Sequence, residues 1–233
     1  MTDIAPLVLV SPAGRQATRL PFPTVTGSSS REPFRADQVT VRPANEATPE
    51  DLAAILGVSD AGRCQCQRLK VRGWMWTETS QDEREGLLQA QTHVGDAGAT
   101  VTSGLIAYVD GQPAGWAAVE PRTAYLKLRR KPLVWAGRNE DKDDESVWAV
   151  TCLVVRKEFR GRGLTYLMVP GVVDFARDRG ASALEAYPMI TQPGKVITWG
   201  ELHVGARQVF ADAGFREVTH PTPRRFVMRL DYT

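Results

Sequence analysis

An arginine- and glycine-rich turn is the part of this 233-residue sequence whose residue types and spacing most directly predict chemistry. The turn Arg160-Gly161-Arg162-Gly163 follows an apolar stretch, Val147 to Val155, and precedes a segment whose apolar residues have helical spacing. Glycine lets the backbone approach a ligand closely, and the free N–H groups at the start of a helix attract anions. The turn is therefore interpreted as a pyrophosphate cradle between a buried strand and a helix. The alternative is a structural turn with solvated arginines.

The cradle, together with the order of elements from about Gln38 to Asp231, resembles the GNAT superfamily of acyl-CoA-dependent N-acetyltransferases. The family signature Gln/Arg-x-x-Gly-x-Gly/Ala matches Arg160 to Thr165, with Thr165 replacing the small last residue. The resemblance implies that the strand offers backbone groups to the pantetheine arm of acetyl-CoA, that one of its amides polarises the thioester carbonyl, and that the turn amides hold the pyrophosphate. The residues expected to bind the coenzyme are Leu153, Val154, Val155, Arg160, Gly161, Arg162, Gly163, Leu164 and Thr165.

The composition separates a short extension from one large domain. Residues 1–36 contain five of the fifteen prolines and the run Gly27-Ser28-Ser29-Ser30, which predicts a flexible N-terminal extension. Residues 37–233 are expected to form a single acyl-CoA N-acyltransferase domain. The resemblance implies an α/β fold of the α+β type, with a mixed, mostly antiparallel central sheet flanked by helices and a splayed central strand that leads into the pyrophosphate-binding helix.

Local signals predict most of the elements. Thr48-Pro49 and Ser80 with Glu83 are helix starts, and Asp110-Gly111 between two apolar runs predicts a hairpin. Pro170 should kink the helix after the cradle or separate a short turn from a new helix, and a kink is expected. Strands are predicted over residues 39–42, 104–109, 113–119, 147–155, 183–187, 215–218 and 225–230, and further helices over 48–56, 80–95 and 201–213, with Pro221 and Pro223 confined to the last connection.

Acetyl transfer to an amine needs a group that takes the ammonium proton. Three residues are candidates for this base: Glu120 at the end of the hairpin, Glu185 in the middle of a strand, and His203 before the last helix. Each also has a purely structural interpretation, namely turn chemistry for Glu120, an outward-facing strand position for Glu185 and a surface position for His203.

A general acid is harder to assign. The resemblance implies a Tyr four residues before the Gly-Phe of the last helix, and here that position is Phe210, which has no proton to give. Tyr187, Tyr166, a cysteine or water would have to replace it, or no acid is needed because a thiolate is a tolerable leaving group.

Two pairs of residues are candidates for substrate binding. Cys64 and Cys66 precede Trp74 and Trp76, and this arrangement resembles a bacterial GNAT subgroup of unassigned substrate. The thiols have three interpretations: half-buried packing, part of the acceptor pocket or a proton relay, and a zinc site, which would need two more ligands at a recognisable spacing. No such spacing is present, so no metal is expected. The two tryptophans are interpreted as core residues or, because residues two apart face one side of a strand or loop, as an aromatic wall for an organic substrate.

Charge and composition exclude several classes of partner. A net charge of +2 argues against nucleic acid or an anionic membrane as the main partner. Three cysteines fit a reducing compartment, and no apolar stretch approaches the ~18–20 residues that span a bilayer, so a cytoplasmic location is expected. The basic run Lys127 to Lys131 and the acidic run Glu140 to Glu145 are interpreted as solvated faces or as a lid over the cleft.

The expected function is transfer of an acetyl group from acetyl-CoA to the primary amine of a small molecule, directly within a ternary complex. The alternative is a non-catalytic acyl-CoA-binding sensor or regulator, which Phe210 and the absence of one clear base favour. A third hypothesis, nucleic-acid binding by residues 127–131, is disfavoured by the small net charge. The identity of the acceptor and the formation of a homodimer stay open.

Overall fold

The computed structural model describes residues 31–57, 62–191 and 197–232. In this part of the chain, a seven-stranded sheet has the order β1-β2-β3-β4-β5-β7-β6, and its neighbouring strands are antiparallel except for the parallel pair β4 and β5. The mixed, mostly antiparallel sheet is therefore confirmed. The strands are β1 (Val39–Pro43), β2 (Gly104–Val109), β3 (Gln112–Pro121), β4 (Val147–Val155), β5 (Ala183–Ala186), β6 (Arg216–Thr222) and β7 (Arg225–Asp231).

Helices cover both faces of the sheet, and their predicted starts are confirmed. The Thr48 hydroxyl accepts from the Asp51 amide at 3.2 Å, and the Ser80 hydroxyl accepts from the Glu83 amide at 3.1 Å, so both helices begin with a capping box. None of the described helices is long and apolar enough to cross a membrane. The helices are α1 (Pro49–Leu56), α2 (Gly73–Glu78), α3 (Gln81–Thr92), α4 (Leu126–Arg130), α5 (Leu164–Asp178), α6 (Trp199–Leu202) and α7 (Arg207–Asp212).

Strand β4 separates from β5 halfway along its length. The parallel pairing runs from Val147 opposite Ala183 to Val150 opposite Ala186, where β5 ends, while β4 continues to Val155. At the same point the pairing with β3 skips Thr151, which forms a β-bulge. We call the gap between the two strands beyond Val150 the fork. It is the splayed central strand that was expected.

The prediction of one helix over residues 201–213 is wrong, because two short helices are separated there by a non-helical segment that contains Gly205. Helix α6 ends at Leu202, and Gly205 has a φ of +82°, which a right-handed helix cannot contain. Residues 203–206, which we call the fork segment, instead lie along β4: the Leu153 amide donates to the His203 carbonyl at 2.5 Å. Met189 donates to the Gly205 carbonyl at 3.1 Å from the other side. Contacts with β4, rather than local propensity, end the helix.

The boundary of the N-terminal extension at residue 36 is also wrong. The Phe34 side chain is buried in the main core, its ring centroid 6.1 Å from that of Phe159, and its amide donates to the Arg162 carbonyl at 3.0 Å. Residues 31–36 therefore pack on the domain at the cradle. Residues 1–30 of the predicted extension lie outside the described residues.

Pro221 contradicts its predicted position, and Pro170 decides between the two alternatives that the sequence left for its helix. Pro221 lies within β6 rather than in a connection, and β6 tolerates it because it is the edge strand of the sheet. Pro170 lies inside α5, which is one continuous helix, so the alternative of two separate helices is wrong. Pro170 is exposed, so water can reach the face of the helix where its missing donor would have been.

Gly205→Ala should destabilise the protein more than Gly180→Ala. Both glycines have left-handed φ values, +82° and +77°, so both substitutions cost about 1–2 kcal/mol of backbone strain. Only at Gly205 would the new Cβ also collide, 2.6 Å from a Phe210 ring carbon and 3.1 Å from Leu153 Cδ1, which should add about 1–3 kcal/mol. Urea unfolding measures both free energies. Equal losses would show that the fork segment is not pressed against β4.

Candidate active site

The cradle has the backbone geometry that an anion site needs. Gly161 and Gly163 have φ values of +73° and +75°, and Gly163 is the N-cap of the 15-residue helix α5. A Cβ at Gly163 would meet no atom within 4 Å, so the space beside it is open. In the first turn of α5, Tyr166 donates to the Gly163 carbonyl at 3.0 Å, while the earlier amides have no partner within the helix. These amides and the helix dipole favour an anion at the turn.

The two arginines of the cradle hold the chain around it. Arg160 Nε donates to the Val155 carbonyl at 2.8 Å, which fixes the end of β4. Arg162 Nε donates to the Glu32 carbonyl at 2.7 Å, and its guanidinium lies 3.7 Å from the centre of the Phe34 ring. Their charges therefore remain beside the turn while their hydrogen bonds stabilise its shape.

Two of the backbone groups expected to face the pantetheine arm have partners within the chain. The Leu153 amide donates to His203, and the Val155 carbonyl accepts from Arg160. A ligand that used the Leu153 amide would have to displace the His203 carbonyl. The fork segment and Arg160 thus each occupy one backbone group of β4 that was expected to face the ligand.

Glu185 is not placed to act as a base, contrary to the sequence-based prediction. Its carboxylate and the Arg122 guanidinium are both fully buried and 3.0 Å apart. Arg138 also contacts the carboxylate, and Arg229 lies 3.4 Å from it. Tyr187 donates its hydroxyl proton to Glu185 at 2.8 Å, and burial, followed by the Glu185 charge, raises the pKa of Tyr187 well above its usual value. The carboxylate is thus enclosed by cations, and the Tyr187 hydroxyl donates to it, an arrangement that favours a structural role for both residues.

This group, which we call the arginine cluster (Arg122, Arg138, Arg229, Glu140 and Glu185), also supports α4. The guanidinium carbons of Arg122 and Arg138 each lie 4.7 Å from the centre of the Trp135 ring. Trp135 Nε1 in turn donates to the Leu128 carbonyl in α4 at 2.8 Å. The position of this short helix therefore depends on the cluster.

Glu120, the other carboxylate candidate, lies on β3 opposite Ala149 of β4, which is also the partner of Glu185, so the two carboxylates share one row of the sheet, two strands apart. It forms an ion pair with Lys70, and both side chains are largely buried, with 16% and 8% of their surface exposed. Burial raises the pKa of Glu120, although the Lys70 ammonium opposes the shift. A carboxylate of this kind can accept a proton at a pH closer to neutral than a solvated one.

Besides Lys70, two residues lie beside Glu120, namely Tyr125 and Thr151, and neither was identified from the sequence as part of a site. Tyr125 is fully buried, and Lys70 Nζ lies 5.6 Å from the centre of its ring. Its hydroxyl has Thr151 and Glu120 as polar neighbours but forms no hydrogen bond of good geometry with a described residue. Burial, followed by the Glu120 charge, raises the pKa of Tyr125. Of these residues, only Thr151 could have been noticed in the sequence, because it is the polar residue in an otherwise apolar strand. We call these four residues, Lys70, Glu120, Tyr125 and Thr151, the Glu120 network.

The cysteines pack beside this network. Trp116 Nε1 lies 3.1 Å from Cys66 Sγ, and Cys66 belongs to the apolar cluster beneath α1. The neighbouring Cys152 thiol and burial raise the pKa of Cys66, and Cys66 with burial raises that of Cys64. The packing interpretation agrees with these contacts. Among the residues that the structure describes, no group of three or more His, Cys, Asp or Glu is arranged to hold a metal ion.

The prediction that Trp74 and Trp76 form one aromatic wall is wrong, because both residues lie on helix α2 rather than on a strand or loop. Two residues apart on a helix, side chains diverge by about 200°. Trp76 lies under Arg84, whose guanidinium carbon is 4.6 Å from the ring centre, whereas the Trp74 side chain is 60% exposed. Trp74 lines a cleft of about 320 Å³, which we call the basic cleft, with Val71, Arg72, Gly73, Leu126, Lys127 and Arg130.

The basic cleft adjoins the Glu120 network. Lys70 and Tyr125 immediately precede Val71 and Leu126, two of the residues that line it. Phe210, in contrast, is fully buried and packs edge-on against Phe215 at 5.3 Å, so it belongs to the core. The cradle at one end of β4, the fork and the Glu120 network together form the candidate active site.

Comparison with known proteins identifies the family. The sequence matches the acetyltransferase (GNAT) family over residues 66–193, a range that includes the Glu120 network and the cradle. The chain belongs to this family. No curated protein matches the sequence.

Several solved structures are similar to this GNAT chain at low sequence identity. A GCN5-related N-acetyltransferase from Kribbella flavida is 17% identical with a TM-score of 0.49, over 85% of this chain and 100% of that one. A GNAT-family acetyltransferase from Streptococcus pneumoniae is 15% identical with a TM-score of 0.45, over 84% and 99%. A ribosomal-protein-alanine N-acetyltransferase from Brucella melitensis is 16% identical with a TM-score of 0.46, over 83% and 99%. The assignment to the family depends on the family match.

Glu185→Gln should destabilise the fold far more than Glu140→Gln. Removal of the Glu185 charge leaves Arg122 and Arg138 buried without their main counterion, which costs about 3–5 kcal/mol. Glu140 contacts the same arginines but is 37% exposed, so its loss should cost about 1 kcal/mol or less. Urea unfolding compares the two variants. If Glu185→Gln lost activity while its stability stayed unchanged, Glu185 would be catalytic after all.

Proposed function

We propose that this GNAT acetyltransferase transfers an acetyl group from acetyl-CoA to the primary amine of a small molecule, directly within a ternary complex. The observation that carries the proposal is the spacing along β4: the cradle follows one end of the strand, and the Glu120 network adjoins its bulge. From Val155 to Thr151 the strand spans about 13 Å, a length that an extended ligand arm can follow from the cradle to the bulge.

The residues at the cradle fit the coenzyme. The open side of Gly163, the amides of the first turn of α5 and the nearby charges of Arg160 and Arg162 suit a pyrophosphate. Bound acetyl-CoA would supply an activated acetyl thioester. The Leu153 amide would polarise the acetyl carbonyl of the bound coenzyme only if the His203 carbonyl, which accepts from it in this structure, were displaced.

Glu120 acts as the general base in this proposal. Its pKa, raised by burial, suits removal of a proton from the ammonium of the acceptor, and Lys70 keeps the carboxylate charged before that step. Tyr125, which keeps its own proton because its pKa is raised, lies beside Glu120. No residue of the last helix is assigned as a general acid, because the Phe210 side chain has no proton to donate.

The cysteines support direct transfer rather than an acyl-enzyme. A thiolate is the nucleophilic form of cysteine, and the raised pKa values of Cys64 and Cys66 disfavour it. Their packing next to β4 therefore has a structural role in the proposal.

Release of thiol from acetyl-CoA in the presence of amines, amino acids, polyamines and aminoglycosides tests the function, and Gly163→Ala tests the coenzyme site. A Cβ at Gly163 enters the open side of the cradle, so the dissociation constant of CoA should rise about tenfold or more. Gly180→Ala, at the other end of α5, has the same kind of backbone strain and should leave CoA binding unchanged. Tight CoA binding without thiol release for any amine would instead favour the sensor or regulator.

Glu120→Gln should remove the acidic limb of the pH profile of kcat/KM. Because burial raises the pKa of Glu120, the wild-type rate should fall as pH decreases through a value above that of a solvated glutamate. The Gln variant, which cannot take the proton, should lose about 10²–10⁴-fold in rate and lose that limb, whereas Glu120→Asp should keep the limb. An unchanged profile in a folded Glu120→Gln variant, as judged by circular dichroism, would exclude Glu120 as the base.

A further inference from the structure

The basic cleft concentrates positive charge that no described acidic residue neutralises. Arg72, Lys127 and Arg130 line it, and Arg68 lies close enough to Lys127 to influence its charge. None of these four forms an ion pair with a residue in the described ranges, whereas the adjacent Arg129 pairs with Asp143 and Lys70 pairs with Glu120. Because the whole chain carries a net charge of only +2, this patch is a local feature.

The cations of the cleft are crowded. Burial, followed by the charge of Arg68, lowers the pKa of Lys127, and the Lys127 ammonium lies 5.9 Å from the centre of the Trp76 ring. Like charges gathered in a concave site raise each other's free energy and create a positive potential that attracts anions. An anionic ligand would relieve this repulsion.

The cleft also offers an apolar surface of the right size for a small molecule. Trp74 is 60% exposed there, and Val71 and Leu126 form part of the wall. The volume of about 320 Å³ lies within the range of small-molecule sites. An exposed tryptophan between cations suits a ligand with an anionic group on an apolar or planar body.

We propose that the basic cleft binds an anionic group of the acetyl acceptor, so that the acceptor is an amine that also carries a carboxylate or a phosphate. This inference rests on the proposed function, in which the Glu120 network receives the amine. The network adjoins the cleft through Lys70-Val71 and Tyr125-Leu126. The acceptor therefore places its amine at Glu120 and its anionic group among Arg72, Lys127 and Arg130.

Matched acceptors with and without an anionic group test the inference. Phenethylamine is compared with phenylalanine for the carboxylate, and ethanolamine with phosphoethanolamine for the phosphate, at equal concentrations of free amine. The wild-type protein should have a kcat/KM at least tenfold higher for one or both anionic members. The double variant Lys127→Gln/Arg130→Gln should lose that preference, because its kcat/KM for the anionic member should fall to that for the neutral member. Arg129→Gln, on the same helix but paired with Asp143, is the matched control and should keep the preference.

Binding of the anionic amines, followed by calorimetry, separates this inference from the proposed function. Acetylation of neutral amines at rates equal to or above those of their anionic partners would overturn the inference and leave the proposed function intact. Binding of an anionic amine that the double variant loses, without thiol release, would keep the cleft assignment and overturn the function. Absence of any binding by phenylalanine and phosphoethanolamine, or salt-dependent binding of DNA that the double variant abolishes, would overturn the cleft assignment.

Discussion

The buried ion pair between Arg122 and Glu185 is the constraint on which the rest of the site depends. Glu185 lies on β5 directly opposite Ala149 of β4, one residue before the last pair that joins the two strands. Arg122 directly follows β3, two residues after Glu120. The pair therefore connects the origin of the fork to the strand end that carries the candidate base. Because both charges are fully buried, displacement of either side chain would leave the charge of the other buried without this partner, which is costly.

The same cluster connects the candidate active site to the basic cleft. Arg122 and Arg138 flank Trp135, whose indole nitrogen donates to α4, the helix that presents Lys127 and Arg130. A helix of five residues has little stability of its own. Its orientation thus comes from tertiary contacts with a polar core, and the charge that it presents to the cleft is positioned indirectly by Glu185.

Much of the fold could be predicted from local signals, because those signals depend on neighbours in the sequence. The capping residues Thr48 and Ser80, the Asp110-Gly111 turn and the apolar run of β4 each specify their element within a few residues. The errors in the predicted elements occur where contacts with distant residues determine the local conformation. Gly205 ends a helix because the fork segment packs on β4, and Trp74 and Trp76 diverge because α2 is a helix.

By itself, the sequence determined the cradle, the bounds of β4 and the family resemblance, since backbone conformation at Gly161 and Gly163 and the apolar run of the strand are local properties. Only the tertiary structure decided the surroundings of the two candidate carboxylates. Glu120 and Glu185 are similar in the sequence, and each is buried beside a cation. The difference between them is that Glu120 forms an ion pair with Lys70, whereas Glu185 is enclosed by three arginines from distant parts of the chain. The pKa and accessibility of a carboxylate depend on such long-range neighbours, which no local pattern encodes.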